Sequence, residues 1–310
     1  MTVYPECVEL TDVCLRDGLQ NLETPIPTEE KIVLAEKLIE AGFNSMELCS
    51  FVSPKWIPQM ADAANVVETV KKLDKAHKVR FIALIPNLKG MERAVASGVD
   101  AVTYVISVSE RHNINNVNRS CAESFAQIKE LKKIQPQEMT LCLALATSFG
   151  CPYGENISPE CVLNAVRTGL EFGADEIMLA DTIGAANPAM IERVLEAVLK
   201  FLPPDRLKLH LHDTRGLAMA NYLVAAQMGI YRFEASAGGL GGCPYAPGAT
   251  GNAASEDLNC MFTEMGIKTG VNQEKLLKAV AYIDSILPGC TTSSNWKRIS
   301  GAPMRISCGA

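Results

Sequence analysis

Eight short apolar or β-branched runs, each separated from the next by a stretch of helical period, predict an α/β fold of the (β/α)8 TIM-barrel type. The runs are apolar on both faces, as the strands of a parallel sheet covered by helices must be. Their alternation continues to about residue 265, and eight βα units in roughly 250 residues is the usual size of such a barrel. In order, the predicted strands span 7–14, 44–50, 79–85, 101–107, 139–146, 175–180, 207–212 and 231–236. A helix over 28–41 has Thr28 available as cap and Gly42 as stop, and one over 158–172 opens on Ser158-Pro159 and closes at Gly173. A further helix over 273–288 follows the last unit, so residues 1–290 form one domain, with 291–310 expected as a flexible C-terminal tail. The glycine run at 238–242 follows the last strand with no long nucleotide-binding half after it, which disfavours a dinucleotide fold.

A formal charge of −6 removes any general attraction to nucleic acid or anionic lipid. No stretch approaches the roughly 20 apolar residues of a membrane span, and the first residues lack an export signal's pattern, so the expected location is cytoplasmic. Eleven cysteines run from Cys7 to Cys308 without one C-x-x-C pair, which disfavours zinc knuckles and thioredoxin-type sites.

Active sites of such barrels collect at the C-terminal ends of the strands. There the sequence places Arg16-Asp17, Glu47, Asp181, His210-x-His212, and a loop carrying Cys243 and Asn252. His210 and His212 alternate along one strand, so both imidazoles share a face and can meet one ion. With Asp17 they make a mixed nitrogen and oxygen donor set that suits Mg²⁺ or Mn²⁺, with Zn²⁺ as a further candidate. Arg16 puts a permanent cation beside that ion, an arrangement that holds an oxyanion. Glu47 and Asp181 are expensive to bury unpaired, and either orient these groups or serve the fold. The loop from Gly238 to Glu256 contains six glycines and two prolines, a composition that suits a mobile lid. Cys243 lies in it, where a nearby cation can lower the thiol pKa.

Several runs then resemble one family: R-D-G-L-Q-N at 16–21, the segment 50–60 (SFVSPKWIPQM), Asn87 to Gly90, Gly150 to Tyr153, Asp181 to Gly184, His210 to Thr214, and G-L-G-G-C-P-Y at 239–245. Together they look like the motifs of 3-hydroxy-3-methylglutaryl-CoA lyases over about Val8 to Lys278. The glycine-rich cysteine loop is the most specific part. The resemblance implies a divalent cation held by Asp17, His210, His212 and Asn252, and Arg16 polarising a thioester carbonyl. It further implies Cys243 in proton transfer, support from Glu47 and Asp181, and substrate contacts from Arg16, Gln20, Asn21 and Ser50. The implied reaction is retro-Claisen cleavage of an acyl-CoA thioester to acetyl-CoA and acetoacetate, by an expected homodimer. The chain departs from the family pattern at Leu15, at Leu22 and at Gly154-Glu155-Asn156, which leaves a citramalyl-CoA or longer 3-hydroxyglutaryl-CoA substrate as an alternative. A condensing enzyme of the isopropylmalate or homocitrate synthase type would share R-D-G and H-x-H. A catalytically inactive barrel would show damage in the ligand set, and every ligand position is filled.

Overall fold

The computed structural model describes residues 4–242 and 251–301. Strands β1 (Glu9–Asp12), β2 (Ser45–Ser50), β3 (Arg80–Ile85), β4 (Ala101–Ser107), β5 (Thr140–Ala146), β6 (Glu176–Asp181), β7 (Leu207–Leu211) and β8 (Arg232–Ala235) pair in sequence order. All neighbours are parallel, and β8 returns to β1 to close the barrel. Helices α1 (Thr28–Ala41), α2 (Ala63–Leu73), α3 (Leu88–Ser97), α4 (Glu110–Val117), α5 (Cys121–Ile134), α6 (Pro159–Phe172), α7 (Pro188–Val198) and α8 (Ala218–Gln227) lie in the connections. Three more, α9 (Ser255–Glu264), α10 (Gln273–Ile286) and α11 (Ser294–Ser300), follow β8. Among the described residues no helix is long and apolar enough to cross a membrane.

Local chemistry explains the boundaries. Ser158 accepts a hydrogen bond from Cys161 N at the start of α6, and Gly173 ends that helix at φ 109°, a left-handed conformation that costs glycine little. Thr28 does not cap α1 as expected. Pro27 precedes the helix, and the Thr28 hydroxyl instead donates to Asp62 (2.8 Å), fastening α1 to the start of α2.

Along β5, Leu141, Leu143 and Leu145 belong to the main core beneath the helices, while Cys142 and Ala144 form a separate cluster with Met178. The alternation therefore points the second set into the barrel lumen. Charged side chains close the lower end of the lumen. Glu176 at the start of β6 meets Arg80 (3.4 Å) at the start of β3 and Arg232 (3.0 Å) at the start of β8.

The chain from residue 291 is not a loose tail up to Gly301. Asp257, in the first turn of α9, accepts from Ser293 Oγ (3.1 Å), Ser294 N, Asn295 N and Asn295 Nδ2 (each 2.8 Å), and this one carboxylate nucleates α11. Thr292 N also bonds Gly238 O (2.8 Å). Residues 302–310 lie outside the described part of the chain.

Candidate metal and catalytic centre

The path of the chain after β1 builds the site. Arg16 and Asp17 do not end an extended strand, as the sequence suggests. The chain bends at Val13, whose carbonyl accepts from Arg16 N (3.1 Å), Asp17 N (2.8 Å) and Gly18 N (3.2 Å) in a single π-helical turn. Such turns recur at functional sites. Asp12 anchors it: the buried carboxylate accepts from Cys14 N (2.9 Å), Ala237 N (2.8 Å) and the Ser255 hydroxyl (2.7 Å). A Cβ at Gly18 would stand 3.0 Å from Ser236 Oγ and 3.1 Å from Leu240 Cβ, so the turn packs this tightly against the β8 end only with glycine.

Buried Arg16 forks between two carboxylates, with Nε on Glu47 and Nη1 on Asp17. The pairing register of β2 shifts between Glu47 and Cys49, an irregularity of the kind that re-aims a strand side chain. Asp17 Oδ2 then sits 3.7 Å from Nε2 of both His210 and His212, and accepts from Asn252 Nδ2 (2.8 Å). Burial opposes ionisation of Asp17, but the Arg16 charge and the two imidazoles hold it well below the usual carboxylate range.

The donor atoms of Asp17, His210 and His212 all lie within 4.8 Å of one another, a spacing that one ion can bridge. Asn252 is brought in by an antiparallel bridge to His212. Its Nδ2 is the atom turned to Asp17, while its Oδ1 is buried with no hydrogen-bond donor among the described residues, so turning the amide over would offer the cluster an oxygen. Two imidazoles, a carboxylate and an amide oxygen fit a divalent ion.

The other sequence candidates divide. Glu47 Oε1, Ser50 Oγ and Gln20 Oε1 are buried acceptors without partners among the described residues, as polar substrate contacts would be. Asn21 is exposed and donates to Gly242 O (3.0 Å), so it ties down the stem of the glycine loop. Gln20 and Asn21 open on a groove of about 260 Å³ that runs to Trp56 and Gln59. Asp181 reaches neither Arg16 nor a ligand by hydrogen bond: its two oxygens accept from Ala185 N and Ala186 N (2.9 Å each), so it shapes the turn after β6. Cys243 lies outside the described residues. The return arm of its loop is pinned, with Asp213 N on Gly251 O (2.9 Å) and Ser236 N on Ala253 O (3.0 Å). Of the departures from the family pattern, Leu15 is a buried core residue and Leu22 packs against the core.

Sequence reasoning missed Asp12, Glu234 and Glu256. Glu234 Oε2 lies 3.1 Å from His210 Nδ1, and Glu256 accepts from Gly238 N (3.0 Å) at the foot of the loop. Burial lifts Glu256 to about 7, against hydrogen bonds that favour its ionised form. A carboxyl raised this way stabilises the fold below its unfolded value near 4.5, and that contribution disappears as pH rises through about 7. Glu256→Gln is therefore expected to raise Tm by about 3–6 °C at pH 8 and to change it little at pH 4.5. Melting curves at the two pH values check this; an equal shift at both would remove the titration as its cause.

A closed parallel barrel carrying a carboxylate, two imidazoles and an arginine at the C-terminal ends of its strands defines a TIM-barrel enzyme. The chain belongs to the HMGL-like family, whose model matches residues 7–283. It is 46% identical over 282 residues to a hydroxymethylglutaryl-CoA lyase of Bacillus subtilis (strain 168), covering 91% of this chain and 93% of that protein. The crystal structure of the Bacillus subtilis HMG-CoA lyase superposes with a TM-score of 0.92 at 44% identity, over 96% of this chain and 99% of that one. An Acinetobacter baumannii HMG-CoA lyase in complex with coenzyme A and 3-methylmalate gives 0.89 at 37% identity, over 100% and 99%.

Proposed function

We propose that this barrel is a carbon–carbon lyase that cleaves 3-hydroxy-3-methylglutaryl-CoA to acetyl-CoA and acetoacetate. The observation that carries the reading is the Arg16 fork beside the Asp17, His210 and His212 cluster, in a chain that matches such lyases over nearly its whole length. A divalent cation held by Asp17, His210, His212 and Asn252, with Mg²⁺ or Mn²⁺ preferred over Zn²⁺, would supply Lewis acidity that eases loss of the tertiary hydroxyl proton.

The chain's own residues do the rest. Breaking the bond between C2 and C3 turns the hydroxyl-bearing carbon into the ketone of acetoacetate and sends its electron pair into the thioester as an enolate. The Arg16 guanidinium, fixed in orientation by Glu47 and Asp17, faces that negative charge without having to reorganise. The enolate must then take a proton at carbon to become acetyl-CoA. Cys243 is assigned that transfer on the strength of its place in the glycine loop, whose stem Asn21 and Asn252 hold at the mouth. Ser50 and Gln20 are assigned polar contacts to the bound acyl chain, and the free Oε1 of Glu47, an acceptor buried beside Arg16, is assigned the tertiary hydroxyl proton. Coenzyme A in the Acinetobacter relative supports a CoA thioester as the substrate class. Cytoplasmic residence and assembly as a homodimer belong to the same proposal.

The test is product identity. Purified protein, stripped of metal and reloaded with Mg²⁺, Mn²⁺ or Zn²⁺, is offered 3-hydroxy-3-methylglutaryl-CoA, citramalyl-CoA and longer 3-hydroxyglutaryl-CoA thioesters, with products read by mass. Acetyl-CoA with acetoacetate from the first, at the highest kcat/KM of the panel, is the expected result. A higher kcat/KM for another thioester would reassign the substrate, and no cleavage with any metal would sink the lyase reading.

A further inference from the structure

We propose that Glu234, steadied by Lys208, is a positioning residue that presents Nε2 of His210 to the cation. The inference rests on the metal reading above and deepens it. The β7–β8 register sets His210 directly opposite Glu234, and both side chains are buried. Glu234 Oε2 stands 3.1 Å from His210 Nδ1, while His210 Nε2 faces Asp17 Oδ2 at 3.7 Å. A carboxylate at Nδ1 keeps the proton on that nitrogen and leaves the lone pair on Nε2, which is how metal-binding histidines are commonly fixed in tautomer and angle.

Glu234 is itself held from below. Its Oε1 lies 3.7 Å from Nζ of Lys208, one step down the lumen face of β7, and that ammonium also reaches Glu176 (3.8 Å) in the charged closure at the lower end of the barrel. The Tyr222 hydroxyl donates to the backbone oxygen of Glu234 (2.5 Å), fixing the strand at this point. Lys208 and Glu234 are each only 2% exposed, and a buried ion pair of this kind is seldom more stable than apolar residues of the same size. Its placement under one imidazole gives it a use that stability does not. His212 has no such brace: its Nδ1 has no hydrogen-bond partner among the described residues. The two histidines are therefore unequal: both face Asp17 through Nε2, but only His210 has a partner at Nδ1 among the described residues.

Full-length, metal-stripped protein titrated with Mn²⁺, with free ion counted by electron paramagnetic resonance, tests the proposal. Glu234→Gln keeps the shape and removes the charge, and is expected to raise the Mn²⁺ Kd about 10- to 100-fold. Lys208→Met is expected to raise it by less, and the metal-free Tm reports any structural loss separately. Wild-type affinity in Glu234→Gln overturns the positioning role even if Tm falls. A wild-type protein that binds no Mn²⁺ overturns the metal reading and this inference with it. Should Glu234→Gln fail to fold, the wild type decides. In Mg²⁺-loaded protein with ¹⁵N-labelled histidine, His210 is expected to carry its proton on Nδ1, and a proton on Nε2 would overturn the assignment.

Discussion

Arg16→Lys is expected to lower kcat by about 10²–10³-fold, the usual loss for one preorganised donor at a developing oxyanion, with a much smaller change in KM. Lysine keeps the charge but not the planar fork. In the native site Nε is taken by Glu47 and Nη1 by Asp17, so the guanidinium plane is fixed before substrate arrives. A lysine ammonium is a single point on a flexible stem and cannot hold both carboxylates in the same plane. It would also leave Glu47, already short of one partner at Oε1, buried with less compensation. The ligand cluster itself would persist, because Asp17 keeps its contacts to Asn252 and the histidines. Steady-state rates with 3-hydroxy-3-methylglutaryl-CoA, alongside Mn²⁺ affinity, separate the two roles. A kcat within a few-fold of wild type would make Arg16 an ion-pair partner and nothing more.

The elements best read from sequence were those whose signals are local. The α6 boundaries follow from Ser158, Pro159 and Gly173, and the strands from apolar runs that a barrel buries on both faces. What failed depended on partners distant in the chain. The turn that lifts Arg16 and Asp17 out of β1 is pinned through Asp12 by Ala237 and Ser255, more than 220 positions away, and no local pattern near Asp12 announces them. Glu234 alternates with Arg232 and reads as one of two charges on an ordinary strand face; only closure of the sheet turns that face into a lumen and puts His210 above it. The Ser- and Gly-containing segment after residue 290 reads as loose because composition does not reveal that Asp257 will take four of its donors. Asp181 ends β6, yet its oxygens serve the backbone, since residue type at a strand end does not say which donors the following turn will aim at it.

Gly241→Ala is expected to cut kcat/KM about a hundredfold although residue 241 contributes no side chain to the chemistry. Gly241 has φ 133°, where a Cβ is strained at a cost of about 1–3 kcal/mol. The new methyl would stand 2.5 Å from Asn252 Nδ2, the atom that donates to Asp17 Oδ2 (2.8 Å) and Leu240 O (3.0 Å). Retreat of Asn252 is resisted, because its backbone is bridged to His212 and its neighbours are bonded to β7 and the turn after it, Asp213 N on Gly251 O (2.9 Å) and Ala253 N on Leu211 O (3.4 Å). The strain is therefore relieved by opening the loop stem and pulling Asn252 from the ligand cluster. At 1.36 kcal/mol per tenfold, the upper part of that range is about a hundredfold in rate. Gly242→Ala is the matched control. A Cβ there meets nothing within 4 Å among the described residues and φ is not in the left-handed range, so activity is expected within a few-fold of wild type. Mn²⁺ affinity and kcat/KM measured on both variants decide the matter. Equal behaviour of the two alanines would mean that the close approach of the loop stem to Asn252 has no part in holding the site.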